Sequence, residues 1–219
     1  MCLRRKTGVM QFWKENRLYL LAAIVILILF YFDDTIITWV RDLHNNKYIY
    51  HMLVTADPFV NFIGDGLTQI VIILFVLIYG RFFDKRYYGL YKPFLTGFVV
   101  TGAGVQLLKH LVGRGRPSHG GVFTGPTLKG GFESFPSGHT AEAFCLAYLL
   151  SGYFPKYRII YYLAACLIAF ERIEDLHHFP SDVMAGALAG LITGRYVYSF
   201  YKIRSGSLRQ SNEVDLRNS

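Results

Sequence analysis

Residues 18–32, LYLLAAIVILILFYF, form an uninterrupted apolar run near the start of a 219-residue chain. A helix over this run, extended by a few residues, would cross the hydrocarbon core of a bilayer, which is about 30 Å thick. Lipid offers no partners for backbone polar groups, so a spanning segment of this kind must be helical. The run therefore predicts an integral membrane protein of the all-α class.

Five more apolar runs follow the first. The composition agrees with a membrane protein, because 53% of the residues are hydrophobic and the mean hydropathy is +0.30. The predicted spans are about 18–32, 67–83, 91–112, 137–154, 157–170 and 181–201. The fifth run is short for a span. The sequence thus predicts a polytopic bundle of six transmembrane helices.

Polar segments divide the chain into three predicted parts. Residues 1–17 form a basic cytoplasmic segment, residues 18–204 the six-span domain, and residues 205–219 a polar, disordered cytoplasmic tail. The connection 33–66 is too polar to cross a membrane, and its aromatic residues Trp39, Tyr48 and Tyr50 would suit an interfacial helix. No cleavable signal is expected, because acidic residues follow the first run where a cleavage site has small ones.

The distribution of lysine and arginine predicts the orientation of the bundle. With both termini in the cytoplasm, sixteen of these residues lie on the cytoplasmic side and seven on the other. Such an excess marks cytoplasmic loops. The net charge is +8, and the basic residues cluster between apolar runs. This arrangement favours contact with anionic lipid headgroups and disfavours nucleic-acid binding.

Three polar clusters lie at span ends that a hairpin topology places on one, extracytoplasmic, face. They are KHLVGRGRP (109–117), PSGH (136–139) and RIEDLHHFPSD (172–182). Together they offer four cations, and arginine and lysine side chains bind phosphate oxygens well. Ser137 is predicted to cap the fourth helix, so that the N–H groups of Gly138 and His139 form an anion site. The clusters therefore predict a phosphate site.

Two separate histidines accompany these cations. In phosphoryl transfer one histidine can act as the nucleophile and another as the proton donor. Asp182 lies four residues after His178, in the first turn of a helix that begins at Pro180. From there its carboxylate would reach back to the His178 ring and fix its tautomer. A histidine-rich zinc or magnesium site is the alternative, and the absence of a neighbouring cysteine disfavours zinc.

The three clusters resemble a known three-part signature. Lys109 to Arg116–Pro117 reads K-x6-R-P, residues 136–139 read P-S-G-H, and Arg172, His178 and Asp182 read R-x5-H-x3-D. Together they are similar to the signature of the type 2 phosphatidic acid phosphatase superfamily. That family includes lipid phosphatases, bacterial acid phosphatases and vanadium haloperoxidases. The resemblance implies the six-helix plan and a reaction without metal or cofactor.

The resemblance also implies roles for single residues. His178 would be the nucleophile that forms a phosphohistidine, Asp182 would orient it, and His139 would protonate the leaving group. The phosphoryl oxygens would be held by Lys109, Arg116, Arg172, Ser137 and the backbone of Gly138.

Two residues stand outside the family pattern. Glu171 lies where the family usually has a small residue; it would pair with Arg172 or be a surface neighbour at the membrane face. Arg114 lies outside the motif, and it would contact a second phosphate or the lipid surface.

The expected function is hydrolysis of the phosphomonoester or diphosphate headgroup of a lipid, in a bacterial inner membrane with the active site facing the periplasm. Lipid A 1-phosphate, undecaprenyl diphosphate and phosphatidylglycerophosphate are candidate substrates, so the partners are the bilayer and an anionic phospholipid, isoprenoid or glycolipid phosphate. A lipid-to-lipid phosphotransferase is an alternative on the same fold. A transporter is disfavoured, because the charged residues gather at one face and do not follow a span.

Overall fold

The computed structural model describes residues 2–48, 50–51, 58, 66–83 and 85–218. Within these ranges the regular structure is helical, apart from an isolated antiparallel β-bridge between Arg114 and Phe123. The helices are α1 (Cys2–His44), α2 (Gly66–Phe82), α3 (Lys85–Tyr88), α4 (Tyr91–Val112), α5 (Gly138–Tyr153), α6 (Arg158–Glu174) and α7 (Pro180–Asn218). Two 3-10 turns cover Pro117–His119 and Pro155–Tyr157. The all-α class is therefore confirmed for the described residues.

Five of the six predicted runs begin within a residue of a helix start. Three of these helices also end where predicted, whereas the last two continue beyond the predicted ends. The predicted run 91–112 matches α4 at both ends. The left-handed backbone of Gly113, with a φ of 58°, ends α4, and its N–H donates to the carbonyl of Lys109. Helix α7 continues through residues 205–218, for which the sequence predicts disorder. The disorder of this tail in solution and the domain boundaries at residues 17 and 204 stay predictions.

The first helix departs from the prediction. It was expected to end near Phe32 and to be followed by a separate interfacial helix, but α1 continues to His44 and includes Trp39. The acidic residues after Phe32 do not end the helix, because the carboxylate of Asp33 is buried against a cation from another segment. The remainder of the predicted interfacial segment, at 52–57 and 59–65, lies outside the described residues.

Helix α5 lies at the centre of the bundle, where it packs against α4, α6 and α7. One face buries Ala143 and Ala147 against Ala165 and Ile168 of α6. The other buries Cys145 and Leu149 in a cluster with residues of three neighbouring helices: Ile73, Phe94 and Val197. Small side chains on α5 let its neighbours approach closely. The central position of α5 places its N-terminus, with the PSGH sequence, among the ends of α4, α6 and α7.

Glycines on α7 make the α5–α7 contact unusually close. A Cβ atom on Gly186 would lie 2.4 Å from the Ser137 carbonyl oxygen, and one on Gly190 would lie 2.1 Å from that of Ala141. Helix α7 therefore lies directly against the α5 backbone. At the same end, the backbone N–H of Ser137 donates to the Asp182 carbonyl across 3.0 Å. The glycine contact thus sets the distance between the first turns of the two helices.

The substitution Gly190→Ala is expected to lower the free energy of unfolding by about 1–3 kcal/mol, because the new methyl group overlaps the α5 backbone. The matched control is Gly104→Ala on α4, where a Cβ would meet nothing within 4 Å. The free energy of unfolding of Gly104→Ala is expected to rise by up to about 1 kcal/mol, because alanine has a higher helix propensity than glycine. Thermal unfolding of both variants in detergent micelles measures the difference. Equal unfolding temperatures would contradict the close α5–α7 contact.

Two segments of the described chain are long and apolar enough to cross a membrane, Leu20–His44 and Tyr91–Val112. The segment Ile70–Phe82 is apolar but shorter. The other three predicted spans form helices, and their passage through a membrane is part of the proposal below.

Candidate active site

The three polar clusters meet around the N-terminus of α5. Lys109, on the last turn of α4, places its Nζ 3.7 Å from the position that a Cβ on Gly138 would occupy. The backbone of Asp182 is hydrogen bonded to Ser137. The N–H of His178 donates to the Arg172 carbonyl across 3.0 Å, which fixes the turn between α6 and α7. The structure therefore brings residues from all three clusters to one end of the helices.

His178 is buried, with 3% of its surface exposed. Its Nδ1 lies 3.8 Å from Asp182 Oδ2, which is too long for a hydrogen bond. The predicted direct bond between these residues is thus not present in this structure. The hydroxyl of Ser134 is close to both groups: it lies 3.5 Å from His178 Nδ1 and donates to Asp182 Oδ2 across 2.6 Å. Asp182 therefore acts on His178 through its nearby charge and through the Ser134 hydroxyl.

Burial holds the pKa of His178 below its ordinary value, because the charged imidazolium loses its hydration. Asp182 opposes this shift by favouring the charged ring, and the cations Lys109 and Arg116 reinforce it. The net result is a lowered pKa. At neutral pH the ring is therefore uncharged, which is the form that can act as a nucleophile.

The carboxylate of Asp182 is fully buried and accepts hydrogen bonds on both oxygens. Oδ2 accepts the hydroxyl of Ser134 and, across 2.9 Å, the backbone N–H of Phe179, which precedes the first residue of α7. In the second contact, Asp182 is the third residue of α7 and its side chain accepts the N–H of the residue before the helix, as in a capping box. Oδ1 accepts Arg114 Nη1 across 2.6 Å. The position of Asp182 is thus fixed by its own helix, by the loop and by a cation.

Arg114 is 4% exposed, which contradicts the alternative that it contacts the lipid surface; the alternative that it contacts a second phosphate stays a prediction. Its Nη1 and Nη2 contact Asp182 and Asp33 across 2.6 and 2.7 Å, and Nη1 also donates to Ser181 Oγ. Three aromatic rings surround the guanidinium, with centroids 4.8, 5.2 and 4.1 Å from Cζ: Phe30, Phe123 and Phe179. The two buried carboxylates pair with this cation and so make its burial tolerable.

Asp33 and Ser134 belong to the same cluster, and neither was predicted from the sequence. Asp33 lies on α1, is 1% exposed, and accepts the backbone N–H and hydroxyl of Ser181. A charge next to an apolar run was a signal that could have identified Asp33, because ionisable residues in membrane helices are usually paired or functional. Ser134 carries no such signal, since a serine in a loop is common.

The arginines predicted to hold phosphate are paired with carboxylates in this structure. Arg116 Nη2 lies 3.2 Å from Glu133, and both side chains are about one-third exposed, 29% and 30%. Arg172 is buried, and its guanidinium contacts the carboxylate of Glu171 and lies 3.7 Å from Asp175. Glu171 is 4% exposed, so the surface-neighbour alternative for it is wrong and pairing with Arg172 is observed. A phosphate group would share these cations with the carboxylates or displace them.

The start of α5 supplies the remaining predicted residues. Ser137 occupies the capping position with an extended backbone, but its side chain does not bond to a helix N–H as expected. Its Oγ instead accepts the hydroxyl of Thr140 across 3.0 Å. Gly138 and His139 lie in the first turn, where N–H groups have no acceptor within the helix and the helix dipole is positive. Both are half-buried.

Two further histidines of the polar clusters contact other groups. His177 is 44% exposed and contacts Asp175, and His110 contacts the Thr127 carbonyl. In the described part of the chain, no group of three or more His, Cys, Asp or Glu side chains is arranged to bind a metal ion.

Residues 90–205 match the PAP2 superfamily, and this match covers more than half of the chain and all three clusters. The chain belongs to the PAP2 superfamily. A lipid A 1-phosphatase of Rhizobium etli is 40% identical over 102 residues, which are 43% of this PAP2 protein and 43% of the relative. The chain therefore spans less than half the length of that relative.

Two solved structures share the fold. LpxE of Aquifex aeolicus is 29% identical with a TM-score of 0.57, and the alignment covers 74% of this PAP2 protein and 93% of LpxE. A transmembrane PAP2-type phosphatidylglycerolphosphate phosphatase of Bacillus subtilis is 22% identical with a TM-score of 0.65, covering 87% and 96% of the two chains. The second likeness concerns the fold alone.

Proposed function

We propose that this PAP2 protein is an integral-membrane phosphatase that removes phosphate from the phosphomonoester or diphosphate headgroup of a lipid. The observation that carries the proposal is the buried, uncharged His178 beside Asp182, in one cluster with Lys109, Arg116 and the start of α5. Relatives named lipid A 1-phosphatase and lipid phosphate phosphatase support a lipid substrate. Among the candidates, lipid A 1-phosphate is favoured over undecaprenyl diphosphate and phosphatidylglycerophosphate.

The reaction proceeds in two steps through a phosphohistidine. Nδ1 of His178 faces Ser134 and Asp182, so Nε2 is the nitrogen that attacks phosphorus. The bond from phosphorus to the lipid oxygen breaks, and His139 donates a proton to that oxygen. Water then attacks the phosphohistidine, with His139 now accepting a proton, and phosphate leaves.

The surrounding groups stabilise the charge that develops during transfer. Lys109, Arg116 and Arg172 hold the oxygens of the transferring group together with the Ser137 hydroxyl and the Gly138 N–H. Asp182 stabilises the positive charge on the His178 ring. These side chains supply the electrostatic stabilisation without a metal ion.

The proposed placement is a six-span bundle in a bacterial inner membrane, with both termini cytoplasmic and the site on the extracytoplasmic side. Apolar side chains on the outer surface of the helices support contact with lipid, for example Leu27, Phe75 and Ile159, which are 69%, 65% and 68% exposed. Many exposed large apolar side chains on the same helices are unsuited to water.

The test measures phosphate release by the purified protein from the three candidate lipids, in detergent micelles containing excess EDTA. Release from at least one lipid at an undiminished rate is expected. Reaction in ¹⁸O-labelled water is expected to place one label in each released phosphate, whereas transfer to a second lipid would release no labelled phosphate. Loss of activity in EDTA that a divalent ion restores would contradict the metal-free mechanism, and no release from any lipid would contradict the proposed function.

A further inference from the structure

We propose that Asp33, on the first helix and outside every motif, is a positioning residue for the reaction. Through Arg114 it fixes the carboxylate of Asp182, and it leaves the cluster beside His178 with one excess negative charge. This inference rests on the proposed phosphatase function.

Asp33 lies in an apolar helix, yet 1% of its surface is exposed. A buried carboxylate is unfavourable unless it is paired and hydrogen bonded. Its Oδ2 contacts Arg114 Nη2 across 2.7 Å, and its Oδ1 accepts the N–H of Ser181 across 3.0 Å. Ser181 is the residue before Asp182. Asp33 therefore links α1 to two groups that position the Asp182 carboxylate. They are the Arg114 guanidinium and the first turn of α7.

Arg114 transmits this link. It is 4% exposed, its terminal nitrogens contact two carboxylates, and three aromatic rings lie close to its guanidinium. Arg114 Nη1 donates to Asp182 Oδ1 across 2.6 Å. The opposite oxygen, Oδ2, is the one nearest His178. A change at Asp33 thus reaches the reacting histidine through Arg114 and Asp182.

The charges of this cluster do not cancel. Asp33 and Asp182 contribute two negative charges and Arg114 one positive charge, which leaves one negative charge beside His178. The charges that affect the His178 ring most are those of Asp182, which favours a charged ring, and of Lys109 from α4 and Arg116 from the loop, which disfavour it. Attack on phosphorus makes the ring positive. The excess negative charge stabilises that state, and without Asp33 the cluster would be neutral.

The test compares Asp33→Asn with Asp34→Asn, its exposed neighbour on α1, which removes the same charge outside the cluster. Asp33→Asn is expected to lower kcat about 10- to 100-fold and to change KM less than about threefold, because the substrate-binding groups are unchanged. The kcat and KM of Asp34→Asn are expected to equal those of the wild type. Ser181→Ala, which removes one partner of Asp33, is expected to lower kcat less and in the same direction. Equal losses in the Asp33 and Asp34 variants, or an effect confined to KM, would overturn the proposal.

A double-variant cycle separates positioning from a general structural effect. In an Asp182→Asn background, adding Asp33→Asn is expected to lower kcat by a smaller factor than in the wild-type background, because the carboxylate that Asp33 positions is already gone and only the charge of Asp33 remains to be removed. A further loss as large as in the wild-type background would show that Asp33 acts by another route.

A titration of His178 by NMR in micelles tests the same link without turnover, with the signal assigned by its absence in His178→Gln. Removing a negative charge disfavours the imidazolium, so Asp33→Asn is expected to lower the pKa of His178 by at least about 0.3. An unchanged pKa would refute the role of Asp33. Wild-type protein that releases no phosphate, but shows the shifted titration, would refute the proposed function and leave the Asp33 link supported.

Discussion

Replacing His178 by alanine is expected to abolish phosphate release, with kcat reduced by about four orders of magnitude or more, as for the loss of a covalent nucleophile. The ring is buried, and its Nδ1 faces Ser134 and Asp182, which leaves Nε2 as the proposed attacking nitrogen. Binding of the lipid is expected to persist, since the cations that hold its phosphate remain.

The matched control is His177→Ala, one residue earlier. His177 is 44% exposed and pairs with Asp175, so its loss is expected to change kcat by less than about threefold. Phosphate release, measured with both variants in the same micelles, gives the comparison. Equal losses in the two variants would show that the wrong histidine has been assigned.

Trapping the intermediate strengthens this test. Acid-sensitive radiolabel is expected on wild-type protein quenched during turnover of a ³²P-labelled lipid, and none on His178→Ala. A label that persists in the His178→Ala variant would place the covalent step on another residue.

Most helix ends within residues 66–201 were predictable, because local features set them. The run 91–112 ends at Gly113, whose left-handed backbone stops α4 at the residue where the apolar run stops. The meeting of the three clusters was also predictable, since alternating hairpins bring the end of one span beside the start of the next. These inferences need the order of apolar and polar residues along the chain, and no knowledge of individual contacts.

The pairing within the site was not predictable in the same way. Asp33 and Arg114 are 81 positions apart, and nothing in the sequence around either residue specifies the other. An arginine two residues before a motif arginine suggested a phosphate or lipid contact, whereas its carboxylate partners bury it. Likewise, the contacts of Ser134 with both His178 and Asp182 depend on the path of a loop. Such contacts require the three-dimensional structure.

Replacing Arg114 by glutamine is expected to cause the largest loss of stability of any single change in the site. The substitution leaves Asp33 and Asp182 buried without their cation, and breaking a buried ion pair from one side costs about 3–5 kcal/mol. For a chain of this size, that loss corresponds to a decrease of roughly 6–20 °C in the unfolding temperature. Thermal unfolding in micelles, followed by circular dichroism, measures it.

Arg116, two residues after Arg114, is the matched control for this loss of stability. Arg116 also pairs with a carboxylate, but it and Glu133 are 29% and 30% exposed, so Arg116→Gln is expected to cost less than about 1 kcal/mol. Adding Asp33→Asn to Arg114→Gln is expected to recover part of the stability, because one unpaired buried charge is removed. Similar unfolding temperatures for the two arginine variants, or a further loss in the double variant, would contradict the Asp33–Arg114–Asp182 network on which the positioning role of Asp33 depends.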